Sequence, residues 1–560
     1  MTEAVKVAGL FLAAIAAMAI LILYQQWKHA RWLREKIRRT YGAWPEREYD
    51  SDEFEAISHY FRLKQKKDRF YLDDITWNDL EMDQIFMLLN HTWSSVGESC
   101  LYALLRTPSF SKEEIGQRNM LTEYFMTHQE QREKLEFFFA GIGKSGRYSI
   151  FDFIYNLADQ APGKRWKELI WTVLILAAGA SIFVRPEIGI LALICCLGLS
   201  WSDYYRKKRK IDPYLMSCGC LLQMMKAAKK LEAMDLGPAA PYQERIREAR
   251  KKLEGFKRNS FFVMTGDTGD LSGGIAKLVI DYLNFTFHVD LIQFSTMILE
   301  IRKNLNAFDE MVENMGMLEC AAAIASFRKL MPEYCLPEFS DKTELDAENV
   351  YHPLIPDPVK NSISVSRGVL LTGSNASGKS TFLKTVAINA ILAQTIDTCL
   401  ADRFRLGFSR VYSSMALRDD LAGQDSYYIV EIKSLKRILD QMGKGGRILA
   451  FIDEVLRGTN TVERIAASSQ ILKSMNRPDL ICFAATHDIE LTHLLEADYE
   501  NFHFQEEVKD DEILFDYRLY RGRAVSRNAI RLLHMMGYAD SIIQAAEDSA
   551  KHFVETGSWT

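Results

Sequence analysis

An apolar run that breaks into Gly-x-x-x-x-Gly-Lys-Ser constrains the fold of this chain more than any other stretch. Residues 370–384 read LLTGSNASGKSTFLK. The lead-in has the character of a buried strand, and a helix starts near Lys379. Such a strand–loop–helix unit belongs in a parallel sheet covered by helices. The glycines let backbone N–H groups turn inward, so Gly373, Ser374, Asn375, Ala376, Ser377, Gly378, Lys379, Ser380 and Thr381 read as a phosphate cradle. In it Lys379 meets the β- and γ-phosphates and Ser380 offers a hydroxyl to Mg²⁺.

Two later strands complete that chemistry. In RILAFIDEVLRGTN the run Ile448–Ile452 is continuously apolar, as a strand buried on both faces must be. Asp453 at its end is placed to hold the Mg²⁺ shell, and Glu454 to orient or deprotonate the attacking water. In LICFAATHDIEL, His487 stands at the carboxyl end of a further strand, within reach of a γ-phosphate or its water.

The chain also carries segments suited to lipid. Val7–Tyr24 is uninterrupted apolar sequence of about the ~20 residues that span a bilayer. Lys28, Arg31, Arg34, Lys36, Arg38 and Arg39 follow it, so the charge bias puts the N-terminus outside and the rest in the cytoplasm. A second region runs from Leu169 to Val184, turns at Arg185, Pro186 and Glu187, and continues to Trp201, with basic residues at both bases. It reads as a spanning hairpin with short arms, making three transmembrane helices in all. The expected location is a bacterial-type cell membrane, multi-pass, with the nucleotide grip in the cytoplasm.

Bulk properties exclude little else. A net charge of −5 argues against a protein that coats nucleic acid by bulk charge, although local basic runs such as KKDR, RKKRK and KAAKK remain. The nine cysteines form no metal-binding or disulfide framework and read as reduced, mostly buried thiols. Helical periodicity dominates 51–156, 212–254 and 279–330. The Leu271-Ser272-Gly273-Gly274 stretch lies well upstream of the cradle and reads as a turn.

TGSNASGKST, RDDLAGQDSYYIVEIKSLKRIL, FIDEVLRGTNT and ATHDIELT together resemble, in order and spacing, the ATPase domain of the MutS mismatch-repair family, an ABC-type P-loop fold. The resemblance covers roughly 348–547 and extends upstream to a helical core segment and the end of a lever. It implies an α/β P-loop ATPase domain preceded by an all-α core and lever. The boundaries it suggests are 1–45 anchor, 46–163 core, 164–210 hairpin, 211–347 lever, 348–547 ATPase with C-terminal dimerisation helices, and 548–560 tail. It further implies ATP and Mg²⁺ as cofactors, Lys379 and Ser380 on phosphate and metal, Asp453 as the second metal carboxylate, Glu454 as catalytic base and His487 as switch histidine. Ser426 aligns with a serine that reaches the γ-phosphate across a homodimer.

Departures from the family accompany the match. The residues before the core segment are mostly anchor, so no mismatch-reading domain is expected, and no nuclease-like extension at the other end. YHPLIPDPV offers Leu354 and Ile355 where family members often stack an aromatic on adenine. The expected function is a membrane-anchored, dimeric MutS-like ATPase that moves helical arms, with DNA admitted as a partner by the resemblance. The alternatives are an ATP-driven membrane scaffold or sensor, and a transporter-like machine, neither with a DNA role.

Overall fold

The computed structural model describes residues 2–260, 263, 282–374, 377–415, 427–456, 460–509, 512–524, 537–556 and 558. The Leu271–Gly274 turn, Asn375, Ala376 and Ser426 therefore lie outside the described residues. The chain divides into two units that interleave along the sequence. One comprises Met1–Lys66, Asn90–Ala103 and Met120–Ser326, the other Lys67–Leu89, Leu104–Asn119 and Phe327–Thr560.

In the described residues the first unit is helical. It opens with the 39-residue helix Thr2–Thr40, whose described apolar side chains from Met18 to Tyr24 are exposed. Trp27 and Trp32 follow at the start of the basic half, also exposed. The hairpin forms from the helices Arg165–Ser181 and Pro186–Leu231, with Pro186 at the first turn of the second, where a missing N–H costs nothing. At the bend Gly189 passes so close that an added Cβ would sit 2.6 Å from the Ile182 nitrogen. The second arm does not stop at the basic run: it continues as one helix of 46 residues.

The three crossings expected from hydropathy are reduced here. Among the described residues one segment, Pro186–Asp212, is long and apolar enough to cross a membrane, with 27 residues and mean hydropathy 1.4. The helix Arg165–Ser181 has 17 residues, about 26 Å at 1.5 Å per residue, short of a ~30 Å hydrocarbon core. Within Val7–Tyr24 the side chains of 7–12, 14 and 15 are outside the described ones.

At the base of the hairpin a polar knot holds the arms to the segment that enters the helix Val289–Lys303. His288, in a left-handed conformation (φ 54°) and fully buried, meets Glu168 through Nδ1 at 2.7 Å and the Ser200 hydroxyl through Nε2 at 3.0 Å. Lys207 Nζ lies 2.6 Å from both Glu168 and Asp203, and Trp171 Nε1 donates to Asp203 at 3.1 Å. Glu168, Asp203 and His288 bring metal-type ligand atoms within 4.8 Å of one another, but the Lys207 ammonium already bridges the two carboxylates. Deeper in the unit Glu319 on the helix Leu305–Leu330 accepts from Trp93 N and Ser94 N at 2.6 and 2.9 Å, at the start of the helix Ser95–Arg106. Gly97 is required there, since a Cβ would stand 2.2 Å from the Glu319 carboxylate.

The second unit contains two sheets. Its smaller sheet has the order β1-β5-β2-β3, built from β1 (Glu338–Ser340), β2 (Leu345–Val350), β3 (Asn361–Val365) and β5 (Arg403–Gly407). The larger has the order β10-β9-β4-β8-β7-β6. It comprises β4 (Gly368–Thr372), β6 (Ser409–Ser414), β7 (Arg447–Asp453), β8 (Leu480–Ala485), β9 (Tyr499–Lys509) and β10 (Glu512–Arg521). All its pairings are parallel except β9 with β10. Every residue of β4 and of β8 is buried, the reason their sequences are apolar without alternation. The short stretches 67–89 and 104–119 pack onto this unit. Asp79 accepts from Ser413 Oγ and Met415 N at 2.7 and 2.9 Å, and Ser109 N donates to Gln394 O at 2.8 Å.

Candidate functional site

The carboxyl ends of β4, β7 and β8, neighbours in the sheet through β8, bring the predicted residues to one edge, where open α/β sheets bind ligands. β4 runs into Gly373 at φ 146°, a conformation closed to side chains, where a Cβ would lie 2.9 Å from both Phe504 O and Ser377 Oγ. Gly378 at φ 103° caps the helix Lys379–Ile396. A Cβ there would meet Tyr517 at 3.3 Å, so both glycines serve close backbone turning.

Lys379 is buried, and its Nζ donates to Gly373 O at 2.8 Å and Ser374 O at 2.7 Å, curling across the loop it follows. The Ser377 hydroxyl is buried and has no hydrogen-bond partner among the described residues. Thr381 lies exposed on the first turn of the helix. Ser380 Oγ donates to Asp453 Oδ2 at 2.6 Å, so the two residues expected to hold Mg²⁺ already touch.

Glu454 follows Asp453 with φ 62°, a strained value for a non-glycine residue, and its N–H donates to Ala485 O at 3.0 Å. That turn aims Glu454 Oε1 at His487 Nε2, 2.8 Å away and partly open to solvent. Thr486 N donates to Leu371 O at 2.9 Å, which fastens the histidine turn to β4.

Sequence reasoning did not single out three partners of this site. The Ser374 hydroxyl donates to Glu506 on β9. Arg464 on the helix Thr461–Ser474 makes a two-pronged pair with Asp488 at 2.9 and 2.6 Å, bracing the residue after His487. Glu431 accepts from Leu456 N at 2.5 Å, holding the backbone just past Glu454. Nothing local in the sequence marks Glu506, Arg464 or Glu431 as partners of the site. In YHPLIPDPV, Leu354 is half-buried and Ile355 exposed.

The donor set fits the expected group. A serine hydroxyl and a carboxylate in contact are the hard oxygen ligands that Mg²⁺ takes beside phosphate. The left-handed glycines, the Ser377 hydroxyl and the Lys379 ammonium suit an anion folded around the loop.

Comparison with known proteins agrees with this geometry. Residues 369–554 match the model of MutS domain V. MutS protein homolog 4 of Mus musculus is 29% identical over 281 residues, which cover 47% of this chain and 29% of the relative. DNA mismatch repair protein MutS of Pseudothermotoga lettingae is 30% identical over 251 residues, 43% of this chain and 30% of the relative. DNA mismatch repair protein MutS of Thermus thermophilus is 28% identical over 250 residues, with shares of 44% and 30%. The chain thus spans about 30% of the length of the curated relatives it matches. The phosphate loop, the acidic strand and the histidine strand that end at one crevice therefore all lie in the part of the chain that is similar to MutS domain V.

Proposed function

We propose that this protein is a MutS-type ATPase: it binds Mg-ATP in the loop Gly373–Thr381, hydrolyses it with a second copy closing the site, and uses the cycle to move helical arms. The observation that carries the reading is the convergence of Ser380 on Asp453 beside the Glu454–His487 pair. When bound, Mg²⁺ would supply positive charge that offsets the charge of the phosphates. Ser380 and Asp453 would hold that ion, and Lys379 would exchange its loop carbonyls for phosphate oxygens. Glu454 takes a proton from the attacking water while His487 orients the carboxylate.

The membrane anchor belongs to this reading and rests on exposed apolar surface. On the helix Thr2–Thr40 and on Pro186–Leu231, aromatic residues (Tyr24, Trp27; Trp201, Tyr205) separate an exposed apolar half from a basic half. Tryptophan and tyrosine favour such interfaces. We place the ATPase unit in the cytoplasm and treat DNA as a partner by family only; a membrane scaffold that uses ATP to assemble a partner is the second reading. Turnover of detergent-solubilised protein with Mg²⁺, alone and with duplex or branched DNA, separates them. DNA stimulation supports the arm-on-DNA reading, turnover indifferent to every DNA supports the scaffold, and no turnover under any condition removes the ATPase reading.

A further inference from the structure

Two of the nine cysteines face each other across a backbone bridge that neither the family match nor the nucleotide chemistry uses. Cys335 lies five residues past the end of the helix Leu305–Leu330, and Cys399 three past the end of the helix Lys379–Ile396. They form an antiparallel bridge with both hydrogen bonds made, Cys335 N to Cys399 O at 2.8 Å and Cys399 N to Cys335 O at 2.9 Å. Residues in such a hydrogen-bonded pair have Cα atoms about 5.5 Å apart, inside the roughly 4.4–6.8 Å range that a disulfide spans.

From this apposition we propose that Cys335 and Cys399 are a modification site: a dithiol that hydrogen peroxide or an organic hydroperoxide converts to a disulfide.

The pair has the division of labour this chemistry needs. Cys335 is partly open to solvent, whereas Cys399 is fully buried behind it. The Cys399 thiol donates to Asn389 O at 3.7 Å; its side chain beside Cys335 holds the Cys335 thiol below its usual range, the Phe404 N–H adds to this, and burial together with the same neighbour pushes Cys399 up. An accessible thiol of lowered pKa beside a resolving partner is the arrangement of peroxide-sensitive cysteines. The Cys335 thiolate attacks one peroxide oxygen, the O–O bond breaks, and the leaving oxygen takes a proton from solvent and departs as water, or as the alcohol of an organic hydroperoxide, to give the sulfenic acid. Cys399 sulfur then attacks the Cys335 sulfur and expels the oxygen as water. Two thiols are oxidised by two electrons and one peroxide is reduced.

The bond would fasten covalently a joint that Arg328 already bridges. From the last turn of Leu305–Leu330, buried Arg328 donates to Thr398 Oγ1 at 2.9 Å and Asp397 O at 2.8 Å, beyond the far end of the helix that begins with Lys379 and Ser380. A hydrogen-bonded cross-strand pair holds its Cβ atoms wider than a relaxed disulfide does, so the linked form is one that cellular thiols reopen.

Another neighbouring pair serves as an internal control. Cys100 and Cys320 are both sealed, and burial pushes the Cys100 thiol well above its usual range.

The full-length protein in detergent is treated with hydrogen peroxide, alkylated and digested without reductant. The expected result is a 335–399 peptide pair lighter by two hydrogens, absent in Cys335→Ser and Cys399→Ser, reversed by dithiothreitol, with Cys100 and Cys320 still alkylated after unfolding. No such pair while exposed Cys195 is oxidised would overturn the proposal, as would sulfinic acid at Cys335 with Cys399 left free. The mass readout does not involve nucleotide, so its outcome is separate from the ATPase reading. If that reading holds, the linked protein turns over ATP several-fold more slowly until reduced, and unchanged turnover in fully linked protein would remove the locking role.

Discussion

Two of the histidine–carboxylate pairs among the described residues have nearly equal length and opposite character. His487 and Glu454 meet at 2.8 Å at the open carboxyl edge of a parallel sheet, the histidine side chain 37% exposed. His288 and Glu168 meet at 2.7 Å in the helical unit, the histidine side chain 0% exposed and its other nitrogen taken by Ser200. Extended by Ser200, the second even follows the serine–histidine–acid order of a hydrolase triad. It has no route for substrate, because Ser200 and His288 are both fully buried. What distinguishes a reacting pair from a structural one is access and a neighbouring charge to act on. The first has both, with the P-loop beside it; the second is enclosed by Lys207, Trp171 and the hairpin arms.

The largest effect should come from the open pair. Glu454→Gln is expected to lower turnover by roughly 10²–10⁴, the range for losing a general base, with nucleotide still bound. Wild-type turnover in that variant would make the pair as inert as its buried counterpart.

The sealed pair should act on stability alone. His288→Ala leaves Glu168 buried beside a cavity and is expected to cost about 3 kcal/mol of folding stability. Denaturant titration of the variant measures this, and turnover per folded molecule should stay at the wild-type level. A turnover defect at full stability would mean that the knot takes part in the cycle.

A third carboxylate sharpens the role of burial. Glu319 is fully enclosed, and burial raises its pKa from 4.5 to about 7 against the lowering by Ser94 and the Trp93 and Ser94 N–H groups. The folded state therefore binds a proton that the unfolded state releases between pH 4.5 and 7. This group's contribution is fully present below pH 4.5 and is lost as pH rises through 7, a change of roughly 3 kcal/mol. Glu319→Gln should flatten that part of the stability profile, and an unchanged slope would assign it to another group.

The smallest effect is expected at Arg31–Glu35, an i,i+4 pair at 3.2 Å with both side chains about two-thirds exposed. Arg31→Ala should change neither melting nor turnover measurably, since solvent screens such pairs.

Legibility followed the range of the interactions. Strands β4, β7 and β8 were readable because strands buried on both faces admit only apolar residues. The hairpin turn was readable because Pro186 opens a helix better than it continues one. Hydropathy counted three crossings because it cannot see where a helix ends: the first arm stops at 17 residues and the second passes through the basic run. Ser374–Glu506 and Arg464–Asp488 join residues 132 and 24 positions apart, and no spacing rule reaches them.

By itself the sequence determined the phosphate loop, the strands that carry its acidic and histidine partners, and the basic flanks of the apolar helices, since each depends on a few consecutive residues. Tertiary structure alone decided that 67–89 and 104–119 join the sheet-bearing unit, that one histidine pair is open and the other sealed, and that Cys335 meets Cys399. Backbone geometry and hydration act over a turn or a strand, whereas enclosure and apposition exist only once distant segments have packed.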